Sequence, residues 1–366
     1  MTWYLESIVG LCAASGSIQQ VCDSRRRILD LFSEEDLAHS FSCSCPPPHC
    51  YIHVDPTIEH RHSTMPQLDH FYDEFHGHRV QDLEVLLPVL RLESSRLVWT
   101  AGDSSLDNKY WFPTRVPAQG VYAQFMETSK PDVTYWLNQQ LNVTAINAAV
   151  EATTLHERTR RFRSQDDFVR DNLQSQDILI VSIGGNDVAL RPLLCTACSL
   201  AGIVLCMPGA CIDNGRTCGT VPCDDYCGGC GPSLASCLCA MPPCLGYLRH
   251  LFGTRVQKYV ERLTATTKPA KVLVCMIYYL DEVNHPCWAS SALGLLGYNR
   301  DPRRVQALIR RMFIEATSRI HIEGTTVIPV PLYRVLDGSD TTDYIQRVEP
   351  SVTGGRKMAE YLAVSV

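Results

Sequence analysis

The amino-acid sequence predicts an α/β fold in which helices cover both faces of a parallel β-sheet. Two observations carry this prediction: short apolar runs rich in β-branched residues, and segments of helical periodicity between and after them. Five of the runs have the length of a buried strand. They are residues 97–100, 143–147, 178–183, 271–279 and 325–330. Strands that alternate with helices are typical of a parallel sheet buried on both faces.

The helical segments place apolar residues at the spacing of one helix face. The longest such series is Val305, Leu308, Ile309, Met312, Phe313, Ala316 and Ile320. A shorter one is Val256, Tyr259, Val260 and Leu263. This spacing predicts amphipathic helices packed on a core. Because parallel sheets bind their ligands beyond the carboxyl ends of the strands, we expect the chemistry in the loops at that edge.

The composition is that of a globular protein. The chain has 366 residues, of which 45% are apolar and 20% charged, so it can bury a large core. Its net charge of -6 argues against a nucleic-acid-binding protein and against a polybasic membrane surface. An uncharged stretch at residues 192–212 is interrupted by Pro192 and Pro208. It is too short for a transmembrane segment and predicts a buried or interfacial hairpin.

The N-terminal region, residues 1–94, differs from the domain predicted at residues 95–366. It combines helical signals with a His- and Pro-rich stretch. Glu6 precedes the apolar run at residues 8–14 and no Lys or Arg does, which is unlike a signal peptide and favours a cytoplasmic location. Seven histidines lie near Cys43, Cys45 and Cys50: His49, His53, His60, His62, His70, His76 and His78. They can be zinc ligands or a solvated loop, and their spacing matches no zinc finger.

A cysteine-rich insertion is predicted at residues 195–244, within the α/β domain. It holds eleven of the eighteen cysteines, including the pairs Cys195-x-x-Cys198 and Cys227-x-x-Cys230. Disulfides, a zinc knot and packed free thiols are all compatible with this pattern. Because the insertion follows the third predicted strand, we expect it to form a wall or lid over the site at the strand ends.

Two of the predicted strands are followed by motifs that can act in one active site. The first strand is followed by Gly-Asp-Ser at residues 102–104, and the third by Gly-Gly-Asn-Asp at residues 184–187. A serine at a tight strand-to-helix turn suits a nucleophile, and an asparagine amide can donate a hydrogen bond to an oxyanion. In these motifs and their strand context the sequence resembles the SGNH (GDSL) family of esterases and acylhydrolases.

The resemblance implies a three-layer α/β/α, flavodoxin-like fold with the strand order 2-1-3-4-5. It makes Ser104 the nucleophile and Asn186 an oxyanion-hole donor. Residues 147–154 are similar to the family's Asn-x-Gly-x-x-Gly-x-Thr block, with Ala152 at the oxyanion glycine. That glycine acts through its backbone N–H, which alanine retains. Gly120 is the alternative donor.

The last motif departs from the family. The family has Asp-x-x-His, whereas this chain places Gln346 and Glu349 at those two positions. A base must accept the serine proton, and an exposed Glu with a pKa of about 4.3 does this less well than a His of about 6.5. Burial of Glu349 would raise its pKa and so reduce this difference in basicity. His285, in the loop after the fourth strand, is the alternative base.

The function predicted from these residues is hydrolysis of a small-molecule or lipid carboxylic ester, with no metal ion or organic cofactor. Two alternatives remain at this stage. The absent histidine favours a catalytically degenerate protein that binds an acyl or glycan ligand on the same fold. The Cys- and His-rich segments favour metal binding or redox interaction, with the sheet as a scaffold.

Overall fold

A computed structural model describes residues 67–189, except 69, 74 and 141, together with Ile212 and residues 246–366. All of these belong to one compact unit, Thr64–Val366. The predictions for residues 1–66, for the hairpin at 192–212 and for the cysteine-rich insertion at 195–244 lie outside the described residues, apart from the buried Ile212. The division of the chain at residues 94 and 95 stays a prediction.

The centre of the fold is a five-stranded parallel sheet. Its strands are β1 (Val98–Gly102), β4 (Ala145–Asn147), β5 (Ile178–Ser182), β6 (Lys271–Met276) and β7 (Thr326–Pro331). They lie in the order β4-β1-β5-β6-β7, and every neighbouring pair is parallel. In terms of the five predicted runs this is 2-1-3-4-5, so the predicted fold class is confirmed.

One predicted strand is longer than the observed one. The apolar run 271–279 is a strand only as far as Met276. Met276 pairs with Pro331, the last residue of β7, and the chain after it forms the 3-10 turn Leu332–Arg334. The strand ends because its hydrogen-bonding partner ends, although the apolar residues continue into the loop.

Shorter elements surround the sheet. The helices among the described residues are α1 (Val80–Glu93), α2 (Val133–Leu137), α3 (Leu155–Arg160), α4 (Ser164–Asn172), α5 (Gly185–Ala189), α6 (Gly246–Arg249), α7 (Val256–Leu263), α8 (Ser290–Leu295), α9 (Arg303–Glu315) and α10 (Val352–Ala363). A π-helical turn, His250–Arg255, joins α6 to α7. Two antiparallel strand pairs are β2 (Val116–Pro117) with β3 (Thr128–Ser129) and β8 (Tyr344–Ile345) with β9 (Glu349–Pro350). Single 3-10 turns are Lys109–Trp111, Gly120–Gln124, Thr317–Arg319 and Thr341–Asp343.

The core has one apolar layer on each face of the sheet. Successive residues of a strand point to opposite faces, and β5 shows this alternation: Leu179 and Val181 belong to one layer, Ile178 and Ile180 to the other. Helices α1, α7 and α9 contribute to the first layer and α10 to the second. Within the described part of the chain, none of the helices combines the length and apolarity required to cross a bilayer.

Candidate active site

The turn after β1 presents Ser104 at the carboxyl edge of the sheet. Gly102, which ends β1, has a φ of 132°, and a Cβ on it would lie 1.8 Å from the Ser182 carbonyl oxygen. Only glycine permits β1 to approach β5 so closely before the chain turns. The turn leaves Ser104 6% exposed, at the inner end of a cavity.

Asp103 holds this turn against the loop after β5. Its Oδ1 accepts hydrogen bonds from the backbone N–H and the hydroxyl of Ser105, at 3.1 and 2.7 Å. Its Oδ2 accepts from the Gly184 N–H at 3.2 Å. Asp103 is therefore a buried hydrogen-bond acceptor that fixes the loops after β1 and β5.

Asn186 and Asp187 connect the loop after β5 to the loop after β4. The Asn186 side-chain amide donates to the Thr153 carbonyl at 2.9 Å, which occupies one of its two protons. The Asp187 carboxylate accepts from the N–H groups of Leu155 and His156, at 2.7 and 2.9 Å. These bonds hold Asn186 in place with one amide proton left for a ligand.

Ala152 has a left-handed backbone conformation, which usually favours glycine. Its φ is 55°, in the left-handed region where an L-residue with a Cβ is strained. The surrounding loop is anchored: the buried Arg158 donates to the Thr153 hydroxyl at 2.6 Å and to the Gly102 carbonyl at 2.9 Å. The chain thus keeps a glycine-like backbone at residue 152 despite the substitution.

Glu349 lies in hydrogen-bonding contact with Ser104. The Ser104 hydroxyl donates to Glu349 Oε1 at 3.2 Å, and Glu349 is only 5% exposed. Glu349 Oε2 is buried without a hydrogen-bond partner among the described residues. Burial raises the pKa of Glu349 to about 8, the charge of Asp103 adds to the rise, and the hydrogen bond from Ser104 opposes it.

The loop that carries Glu349 is held in an unusual conformation. Gln346 and Arg347 both have positive φ angles, 52° and 68°. The Arg347 guanidinium is buried and donates to the side-chain oxygens of Asn284 and Asn299, at 3.1 and 2.7 Å, and to the Asp281 carbonyl at 3.1 Å. These bonds tie the loop to the segment after β6 and hold the strained backbone.

His285 lies apart from this group. Its side chain is 39% exposed, and its Nδ1 lies 3.8 Å from Asp281 Oδ2. It is not among the described residues that line the cavity at Ser104. Gly120, the alternative oxyanion donor, has a φ of 57° and likewise does not line that cavity. Ala152 is also absent from the described lining, so the residues that the structure brings together at the cavity are Ser104, Asn186 and Glu349.

The cavity beside these three residues has a volume of about 110 Å³ and walls that are mainly apolar. Helices α8 and α9 and the π-helical turn contribute seven of the apolar side chains. They include Phe252, Ala292, Leu293, Leu308, Ile309 and Met312. Trp288, 39% exposed, also lines it. The arrangement offers an apolar group a dry pocket that ends at a serine hydroxyl.

Sequence reasoning missed two residues that position this site. The Tyr278 hydroxyl donates to the Val348 carbonyl at 2.8 Å, next to Glu349, and its ring lines the cavity. Arg158, described above, joins the loop after β4 to the nucleophile turn. Tyr278 follows a recognisable strand and could have been suspected on that ground. Arg158 lies in a short helix with no motif around it.

Comparisons with known proteins give a likeness in structure and none in sequence. No family model matches the chain, and no curated protein matches it. Among solved structures it is similar to a member of the lipolytic protein G-D-S-L family from Veillonella parvula, with 12% identity over 74% of this chain and 97% of that one and a TM-score of 0.36.

Two further similar structures are an aryl esterase from M. smegmatis and an extracellular lipase from Streptomyces rimosus. The esterase is 14% identical over 74% of this chain and 97% of its own, with a TM-score of 0.33. The lipase is 10% identical over 74% of this chain and 98% of its own, with a TM-score of 0.34. Similarities this distant say nothing about residue roles, and the fold assignment rests on the sheet order itself.

Proposed function

We propose that the protein hydrolyses carboxylic esters, with Ser104 as the nucleophile and Glu349 as the general base. The observation that carries this proposal is the contact of 3.2 Å between the Ser104 hydroxyl and Glu349 Oε1, inside a buried, mainly apolar cavity. A nucleophile and a base within hydrogen-bonding distance are the minimum that acyl transfer requires.

The reaction runs in two steps. Glu349 takes the Ser104 proton as Oγ bonds to the acyl carbon, and the carbonyl oxygen becomes an oxyanion. The N–H groups of Ser104 and Ala152 and the free amide proton of Asn186 stabilise that charge. When the carbon–oxygen bond to the alcohol breaks, protonated Glu349 returns its proton to the leaving alkoxide. Water then attacks the acyl-serine as Glu349 accepts its proton; the bond from the acyl carbon to Oγ breaks, Glu349 returns the proton to Oγ, and the acid is released with Ser104 restored.

Burial is what makes a glutamate suitable for this role. An ordinary carboxylate, with a pKa of about 4.3, is a poor acceptor for a serine proton. A pKa of about 8 makes the Glu349 carboxylate at least as basic as an ordinary histidine. In this proposal Glu349 both accepts the proton and needs no orienting partner, since packing and the anchored loop hold it. Gln346, at the family's aspartate position, has no part in proton transfer.

The cavity defines the substrate class that we propose. Its lining supplies apolar contacts and almost no charge, so it suits the acyl chain of a small-molecule or lipid ester. No metal ion or cofactor takes part in the proposed reaction.

A binding protein is the second candidate, and the pKa of Glu349 favours it. Below pH 8 most of Glu349 is protonated, so it can donate a hydrogen bond to a ligand carbonyl and leaves Ser104 without a base. On this view the cavity holds an acyl ligand without turnover.

A fluorophosphonate probe distinguishes the two candidates. It forms a covalent bond only to a serine that is activated as a nucleophile. At pH 9, where Glu349 is ionised, we expect labelling of one residue per chain, and peptide mass spectrometry should locate the adduct on Ser104. An unlabelled, folded protein at pH 9 would favour the binding protein.

A further inference from the structure

A second cluster of polar side chains is buried away from the Ser104 cavity. His78, Asp107 and Asp132 each offer a ligand atom, and these atoms lie within 4.8 Å of one another. Their residues are 1%, 0% and 1% exposed. None of the three lines the cavity at Ser104. A cluster of this composition needs a positive charge or a set of hydrogen-bond donors to be stable in a protein interior.

The orientation of His78 points to a bound cation. Its Nδ1 lies 2.7 Å from the Phe71 carbonyl oxygen. A carbonyl only accepts, so Nδ1 carries the proton and Nε2 the lone pair. Nε2 is buried and has no hydrogen-bond partner among the described residues. Metal-binding histidines are held in this manner, with one ring nitrogen donating to a carbonyl or carboxylate and the other directed at the ion.

Lys109 does not supply the missing cation to His78 and Asp132. Its ammonium group donates to both Asp107 oxygens, each at 2.9 Å, and to Glu151 Oε2 at 3.0 Å. Its three donors are therefore used. Lys109 is thus committed to Asp107 and Glu151, and none of its protons is left for His78 or Asp132.

Asp132 has bonding capacity left. Its Oδ1 accepts from the Tyr135 N–H at 2.7 Å, as the N-cap of α2, and its Oδ2 accepts from the Asn147 amide at 3.3 Å. A further backbone bond comes from Thr134, so three of the four lone-pair positions of the carboxylate are used and one is left for a ligand. Asp132, Asp107 and His78 thus offer three ligand atoms, all within 4.8 Å of one another.

We propose that His78, Asp107 and Asp132 bind one divalent metal ion, for which zinc is the best match. One imidazole and two carboxylates are ligands that zinc accepts. A divalent ion accepts the unused lone pair of His78 Nε2 and binds the two carboxylates in their ionised form. It also joins three segments: the chain before α1, the turn after Ser104, and the start of α2. The role is structural and independent of the proposed esterase activity.

The test compares zinc content between variants of the full chain. Other histidines and cysteines can also hold zinc, so the difference between proteins is the readout. Each protein is equilibrated with zinc, dialysed and measured by elemental analysis. His78→Ala removes one ligand. Asp132→Asn removes a charge while retaining a side chain that can cap α2. His70→Ala, whose side chain is 74% exposed, is the matched control.

We expect wild type and His70→Ala to hold one more zinc per chain than His78→Ala and Asp132→Asn. Zinc at about 100 times its Kd should also raise the Tm of the wild type by about 5 °C and leave both variants unchanged. Equal zinc content in all four proteins would overturn the proposal. So would a loss confined to one of the two site variants. Neither result bears on Ser104, whose labelling is measured separately.

Discussion

Replacing Ser104 by Ala is expected to abolish ester hydrolysis, with a loss of about 10⁴-fold or more in kcat. In the proposed mechanism this hydroxyl forms the acyl-enzyme, and the neighbouring Ser105 hydroxyl cannot replace it because it is hydrogen-bonded to Asp103 and Ser182. What remains after loss of a nucleophile is the rate supplied by the oxyanion hole and binding alone. Initial rates with a short p-nitrophenyl ester measure the effect.

The control for this variant is Ser175→Ala, a serine on the surface between α4 and β5. It should retain wild-type rates. Since the Ser104 side chain is small and buried, circular dichroism and Tm should confirm that Ser104→Ala folds. Hydrolysis at the wild-type rate by a folded Ser104→Ala would exclude the proposed nucleophile.

Replacing Glu349 by Gln is expected to lower kcat by about 10²–10⁴-fold, the usual contribution of a general base. Glutamine keeps the size of the side chain and can still bond to Ser104, so the substitution removes proton acceptance and little else. KM should change little because the apolar walls of the cavity are untouched. Steady-state kinetics at pH 9, where wild-type Glu349 is ionised, give the largest difference.

His285→Ala separates the two bases that the sequence suggests. With a side chain that is 39% exposed and paired with Asp281, His285 should be dispensable, and the variant should keep the wild-type kcat. A large loss in His285→Ala together with full activity in Glu349→Gln would assign the base to His285.

The sheet could be predicted because its signal is local. In a chain of this composition, apolar runs of strand length usually form buried strands. Each of the five runs corresponds to an observed strand, and the predicted and observed bounds differ by at most three residues. The strand order is not local, and its prediction came from the resemblance. The predicted strand 271–279 was too long because a strand also needs a hydrogen-bonding partner. The partner strand β7 ends at Pro331, which pairs with Met276.

Ser104 and Asn186 could be predicted because each follows a strand of the sheet, and Glu349 because of its position in the last motif. Ser104 and Asn186 stand directly after β1 and β5, so their positions at one edge followed from the topology. The basicity of Glu349 could not be predicted, because it depends on burial produced by segments distant in the chain. His78 was one of seven histidines in its region, and nothing local distinguishes it from His70 or His76. What distinguishes His78 is its tertiary environment: the contact of its Nδ1 with the Phe71 carbonyl and its buried Nε2 without a partner among the described residues.

The pH dependence of kcat/KM tests most directly whether Glu349 is the base. The reaction needs its carboxylate, so protonation should inhibit. Because burial raises the pKa of Glu349 to about 8, kcat/KM should fall tenfold per pH unit below 8 and level off above it. The Ser104→Ala protein serves as the blank for spontaneous hydrolysis. A rate that stays constant from pH 9 down to pH 6 would contradict a base of raised pKa at Glu349.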